Sequence, residues 1–378
     1  MRRRFTLMGT HRRTSGDHVS WCPWAPLALV ALLLPAGALA QDSVSLTMSD
    51  RPLNILVDTL AVLGDSEGPG ILASENVYIT SDSRGHYFVF ALPYPVIQEY
   101  DGRGRHLQSM GREGDGPGEF RWPQAIHVDD DQRVHVADGV HQRLTTLTPD
   151  GPAPRTIPLA GLNPGFELTA ITGDSLLLTG YALTSELGGE PLHVVAEEGG
   201  VTRSFGAPDR PIQTSDPVEL LRSMHFVPDD TLWVAPMDQY RVERWSLSGE
   251  LRTVLLGPGS FSFDGDGEEE VRGVRPRTVL AAIRQDASGL LWLKFHVPRE
   301  DWQEVAEAAD EEELSGVRLT DTLIEVVDPA KGTVLATRRL PGTYTRLFGD
   351  HRIGEIVINP QTLSVELHVL SLSLDRSP

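Results

Sequence analysis

Two stretches of this sequence have the spacing of loops that do chemistry, and each lacks a part the chemistry needs. Gly64-Asp65-Ser66-Glu67-Gly68 has the Gly-x-Ser-x-Gly spacing of a hydrolase nucleophile, but such a serine must sit on a strand-to-helix elbow. Pro69 and Gly70 follow instead, no helical pattern is readable, and a counterpart loop at 111–118 contains no serine. Asp264-Gly265-Asp266-Gly267-Glu268 begins like a calcium loop, yet Arg275 stands at the twelfth position, where a bidentate Glu is required. There is no His-Glu-x-x-His, and the only lysines, Lys294 and Lys331, lie outside any phosphate-cradling context.

Arginine and histidine are the remaining candidates. Guanidinium groups grip carboxylate or phosphate through two parallel hydrogen bonds. Arg121, Arg222, Arg277, Arg84, Arg143 and Arg241, with His141 and His86, could therefore form an anion site if one rim gathered them. The competing expectation is that each arginine pairs with a neighbouring acid such as Asp82, Asp138 or Asp238. His127, His225 and His296 are the candidates for holding a divalent metal such as calcium or zinc, which needs several His, Asp, Glu or Asn donors converging on one point. What decides between these is the set of elements that positions them.

Those elements repeat. Ile126 to Asp138 reads as strand, acidic turn, strand, followed by Gln142 to Leu147 and the turn Asp150-Gly151. The same order returns at Met224 to Val234 with Tyr240-Arg241-Val242 and Ser248-Gly249 behind it, and at Leu280 to Leu293 through Asp286-Ala287-Ser288-Gly289. Weaker copies occupy 168–178 and 345–358, and a first copy starts at Ile71. Each unit offers about four short strands with Asp/Gly turns, rich in the β-branched and aromatic residues that suit pleated surfaces. Six such units, spaced by about 40 to 65 residues, predict a radial array of four-stranded sheets rather than a sandwich. Leu53 to Leu60 reads as an outer strand with no inner strands ahead of it, while the last unit lacks an outer strand. The expectation is an all-β, six-bladed propeller over 41–378, closed by the N-terminal strand completing the last blade, with Trp122, Trp233, Trp245 and Trp292 packed between blades.

Val134 to Leu144 with Asp150-Gly151 resembles an NHL-type repeat of secreted bacterial six-bladed β-propellers, and Tyr100-Asp101-Gly102 to Glu119-Phe120 is similar to the blade junction of such proteins. The likeness is good over about 75–151, passable at 224–250 and thin elsewhere. It implies a fold that serves ligand or partner binding, with some relatives that are lyases, and so speaks for architecture more than activity.

The first forty residues place Arg2, Arg3, Arg4, Arg12 and Arg13 before an apolar run from about Leu27 to Leu39, ending at Ala38-Leu39-Ala40. This pattern predicts a cleaved secretory signal over 1–40, since the run is shorter than the ~20 residues of a spanning helix. The only cysteine, Cys22, precedes the run, so the exported part would have no disulfides and no lipid anchor at the cleavage point. Acids outnumber bases 53 to 33, a formal charge of −20, which argues against a nucleic-acid surface. An insertion at 299–314 breaks the unit pattern. Trp302, Val305, Ala306 and Ala309 recur at helical spacing there, with acids on the other face, predicting a short amphipathic helix. The functional expectation is a monomeric, periplasmic or extracellular binding module, without cofactor or membrane span, for a small anionic ligand or an extracellular protein partner. The alternative is a lyase- or lactonase-type propeller enzyme with a channel metal.

Overall fold

A computed structural model describes residues 42–149, 153–159, 161–171, 174–182, 189–196, 198–206, 220–258, 261, 263, 275–308 and 319–375. The expected signal segment, the turn at 150–151, the calcium-like loop and the end of the insertion lie outside the described residues.

Two strands open the described chain, β1 (Asp42–Ser45) and β2 (Thr47–Leu63). Four-stranded antiparallel sheets follow in sequence order. The first holds β3 (Val77–Ser81), β4 (Tyr87–Ala91), β5 (Tyr94–Tyr100) and β6 (His106–Met110). A two-stranded parallel pair, β7 (Arg112–Glu113) and β8 (Glu119–Phe120), leads into β9 (Pro123–Val128), β10 (Val134–Asp138), β11 (Arg143–Leu147) and β12 (Arg155–Pro158). Next come β13 (Leu162–Ile171), β14 (Ser175–Ala182), β15 (Leu192–Ala196) and β16 (Gly200–Phe205), then β17 (Arg222–Val227), β18 (Thr231–Pro236), β19 (Arg241–Ser246) and β20 (Leu251–Leu256). After β21 (Val279–Gln285) and β22 (Leu291–Pro298), the helix α1 (Trp302–Ala308) intervenes before β23 (Thr320–Asp328) and β24 (Thr333–Leu340). The last sheet is built from β25 (Arg352–Ile358), β26 (Val365–Asp375) and β2, with bridges at Tyr344–Glu355 and Phe348–Arg352 marking its innermost segment.

Apolar side chains pack between successive sheets. Phe88, Phe90 and Ile97 meet Phe120, Val134 and Val136, and equivalent clusters join each sheet to the next. A further cluster joins the last sheet to the first, bringing Leu63, Leu367 and Val369 against Tyr87, Val89 and Tyr100. The sheets therefore close on themselves as a β-propeller, which leaves the inner strands facing a common channel. Trp233, Trp245 and Trp292 lie between sheets as expected, but Trp122 is 42% exposed, because it sits in the turn ahead of β9 rather than in a ladder.

The tight turns explain the Asp/Gly punctuation. In three of them an Asp carbonyl accepts from the amide of a glycine three residues on, Asp82 from Gly85, Asp101 from Gly104 and Asp286 from Gly289, and each glycine has a φ between +83° and +87°. That conformation strains any residue with a Cβ.

The N-terminal strand completes the last sheet, and it does more. Asn54–Leu63 of β2 runs antiparallel to β26, while Thr47, Met48 and Leu53 pair in parallel with β24 of the preceding sheet, and β1 pairs in parallel with β20 of the sheet before that. One segment thus covers the edges of three consecutive sheets, which shields edge groups that would otherwise template aggregation. Within β2 the pairing slips by one residue between Thr59 and Ala61. Such a bulge reverses which face a side chain takes. Ile55 accordingly packs into the cluster on one side of the last sheet, and Ala61 and Leu63 into the cluster on the other.

The insertion is helical over Trp302–Ala308, with Ala306 buried against Leu319 and flanked by Trp302 and Val305. No helix among the described residues is long and apolar enough to cross a membrane.

Candidate functional site

The channel holds a cavity of about 930 Å³, walled by β3, β9, β13, β17 and β21 and by segment 343–349. Volumes in this range suit small-molecule ligands. Its wall carries Glu167 on β13, together with Arg284, Lys294 and Arg346. The β13–β14 pairing is irregular between Pro164 and Leu168, so Phe166, Glu167 and Leu168, although consecutive, all reach the cavity wall. Gly165 permits this close approach, since a Cβ there would meet the Thr179 hydroxyl at 2.5 Å.

Glu167 is 6% exposed and collects donors from three other sheets. Arg346 donates to it at 2.7 and 3.2 Å, Arg284 at 3.4 Å and the Ser223 hydroxyl at 3.3 Å. Burial alone would raise the Glu167 carboxyl, but Arg346 and then Arg284 outweigh it and hold it below the usual range. Arg284 also donates to the carbonyls of Met224 and Ile283. Nη1 of Arg346 has no hydrogen-bond partner among the described residues, and its guanidinium lies 5.7 Å above the ring of Phe166. Two cations therefore share one carboxylate.

The neighbouring histidines stay neutral. Burial pushes His127 down to about 4, helped by His135, and pushes His225 down to about 3, helped by the positive charge of Arg284. His127, His225 and His296 all line the cavity. Nε2 of His296 accepts from the ammonium of Lys294, which is fully buried. Among the described residues, however, no group of three His, Cys, Asp or Glu is arranged to hold a metal ion.

The rim candidates lie elsewhere. None of Arg84, Arg121, Arg143, Arg222, Arg241, Arg277 and His141 lines the cavity. Arg121 is exposed and contacts Asp115 at 3.0 Å and Glu113 at 3.2 Å, and His141 bridges Asp115 at 2.9 Å and Asp138 at 3.1 Å. Arg143 donates to the carbonyls of Asp115, Gly116 and Glu119, which pins the glycine-rich loop onto the β10–β11 turn. Asp138 accepts from the amides of Arg121, Val140 and His141, so it is the turn-stabilising acceptor its position implies. Arg241 pairs with Glu243 at 2.5 Å, Arg222 is buried and donates to the Leu221 carbonyl, and Arg277 is half-buried ahead of β21.

Arg84 corrects the idea of a single shared rim. It sits with His86 in the turn between the first and second strands of its sheet, on Asp82 at 2.7 Å and Glu99 at 3.4 Å. His141, Arg143 and Arg241 belong to turns between second and third strands. In antiparallel sheets these are opposite ends. The misplacement arose because the first inner strand starts at Val77, later than the apolar run at Ile71 suggested.

Sequence reasoning missed Glu167, Arg284, Arg346, Phe166 and Tyr78. The available signal was a charge inside an inner-strand apolar run, as in Phe166-Glu167-Leu168 and Ala282-Ile283-Arg284, since an inner strand of a propeller faces the channel.

No protein-family model matches the sequence, and no curated protein does. Solved structures do. A member of the DUF4221 family from Bacteroides vulgatus superposes with a TM-score of 0.60 at 10% identity, over 86% of this chain and 100% of that one. A protein from Bacteroides fragilis classed as exported superposes at 0.59 and 10% identity, over 88% and 100%. What they share with this chain is the fold. The virginiamycin B lyase of Staphylococcus aureus reaches 0.47 at 11% identity, over 85% and 100%.

Proposed function

We propose that this chain is an exported, monomeric, six-bladed propeller of NHL-like repeats whose channel binds a small anionic ligand. Export is supported by the N-terminal sequence pattern, and the neighbour from Bacteroides fragilis is itself classed as exported. One observation carries the ligand class. Arg284 and Arg346 share the single carboxylate of Glu167 at the wall of the cavity, and Nη1 of Arg346 has no hydrogen-bond partner among the described residues. A second anion would take up that donor and balance the remaining charge in a site of low dielectric, where charge-assisted bonds are strong. In a chain of formal charge −20, a local positive excess is also what selects an anion against the general field.

The test is a thermal-shift screen of carboxylates and phosphates against the parent, an Arg346→Gln variant and a triple Arg121, Arg222 and Arg277 to Ala variant. The channel reading expects stabilisation of the parent and the triple variant and none of Arg346→Gln. Loss of the response in the triple variant alone would move the site back to the rim, and equal responses in all three would discard both.

A further inference from the structure

Beside the guanidinium pair the channel wall is aromatic. The ring of Tyr78 stacks on Phe90 with centroids 4.8 Å apart and planes 6° from parallel, and lies 6.2 Å from Phe166. Tyr78 and Phe166 are half-buried and line the cavity, as does the half-buried Phe226. Phe90 is fully buried, so the Tyr78 ring is held from behind and presents a fixed face. Arg346 stands over Phe166, the orientation in which a cation is attracted to the negative face of a ring. An acid gripped by Arg346 would therefore have its nearest carbon atoms beside Phe166 and Tyr78. Polar aliphatic acids such as sugar acids would leave those rings facing hydroxyl groups, whereas an aryl group would meet them in the offset or edge-to-face contacts aromatic pairs prefer.

We propose that the ligand is an aromatic carboxylate: its carboxylate on Nη1 of Arg346, with Arg284 adding positive charge beside it, and its ring against Phe166 and Tyr78. The carboxylate half rests on the function proposed above, and the ring half is new. Glu167 orients the two guanidinium groups, and Ser223, which donates to Glu167 and accepts from Arg346 at 3.3 Å, completes the arrangement.

Calorimetric titration of the purified full chain with four probes separates the two halves. These are phenylacetate, cyclohexylacetate (same charge, saturated ring), phenylacetamide (same ring, no charge) and acetate. Phenylacetate should bind about three- to tenfold tighter than cyclohexylacetate, the range of an aromatic pair contact, and phenylacetamide should bind at least tenfold more weakly. A Phe166→Leu variant, checked for unchanged melting without ligand, should bring phenylacetate and cyclohexylacetate to within about twofold of one another. Cyclohexylacetate binding as tightly as phenylacetate overturns the aromatic half and leaves the anion reading standing. Phenylacetamide binding as tightly as phenylacetate overturns the anion reading and the inference with it, and no binding by any of the carboxylates overturns the inference and leaves the anion reading to the phosphates of the thermal-shift screen.

Discussion

Replacing Glu167 by Gln would leave Arg284 and Arg346 beside one another without the carboxylate they share. The geometry sets the size of the effect. Side-chain exposure is 8% for Glu167, 18% for Arg284 and 22% for Arg346, at distances of 2.7 and 3.4 Å. Removing one partner from a largely buried ion pair costs about 3–5 kcal/mol, because the charge left behind keeps its desolvation penalty. With about 2 cal/mol/K of unfolding entropy per residue over Gln41–Pro378, this corresponds to a Tm lower by about 4–7 °C. An added anion beside the two guanidinium groups can replace the lost negative charge. At 100 times its dissociation constant it should restore about 2.7 kcal/mol, or roughly 4 °C. The assay is a melting scan of parent and variant at low ionic strength, with and without carboxylate or phosphate. A variant melting within about 1 °C of the parent, or one that melts lower and gains nothing from any anion, would refute the idea that Glu167 neutralises a cation pair in the channel.

Acid should destabilise the protein earlier than its carboxylates alone would. His127, His193 and His225 are held near 4, 4 and 3, so the unfolded chain, with histidines near 6.5, takes up protons first; stability is full above about pH 6.5 and falls as pH drops toward 4, and a Tm series from pH 7.5 to 4 should show it, with a shallower slope in His193→Gln. Leu63→Ala, at the fully buried end of the closing strand, should cost about 2–5 kcal/mol, whereas Met48→Ala, at 51% exposure in the same strand, should stay within about 0.5 kcal/mol by chemical denaturation. Gly104→Ala should destabilise by more than about 1 kcal/mol, since φ is +85° and the added Cβ would collide with the Val62 carbonyl oxygen; a melting temperature equal to the parent's would contradict the turn geometry.

Repeats, turns and ring closure were legible because each follows from local pattern. Asp101, Gly104, Asp286 and Gly289 announce turns whose dihedrals few other residues tolerate, and the unpartnered strand ahead of Leu63 had one vacant edge to fill. The parallel pairing of β1 and of Thr47 to Leu53 was not legible, because backbone hydrogen bonds dock an outer edge and the few apolar residues that pack there, Val44, Leu46 and Leu53, do not say which edge they meet. Two of the cavity histidines, His127 and His225, lie on the inner strands β9 and β17, and His296 lies on the second strand β22. The Glu167 cluster was not legible: its members are separated by 56, 117 and 179 positions, and only closure of the ring brings them within reach. Charges in loops drew attention, yet Arg84, Arg121 and Arg241 are held by acids a few positions away, as short-range neighbours of opposite sign tend to be.

The bulge near Leu60 and the edge pairings on either side of it have a consequence for how the molecule comes into being. The strands β1 and β2 precede every blade in the chain and have their partners in β20, β24 and β26, which are synthesised after them, so the native circle cannot be completed until β26 has been made. Contacts of such large sequence separation slow folding and lengthen exposure of unsatisfied edges. A chain truncated ahead of β26 would keep most of its sectors and still have no stable way to finish.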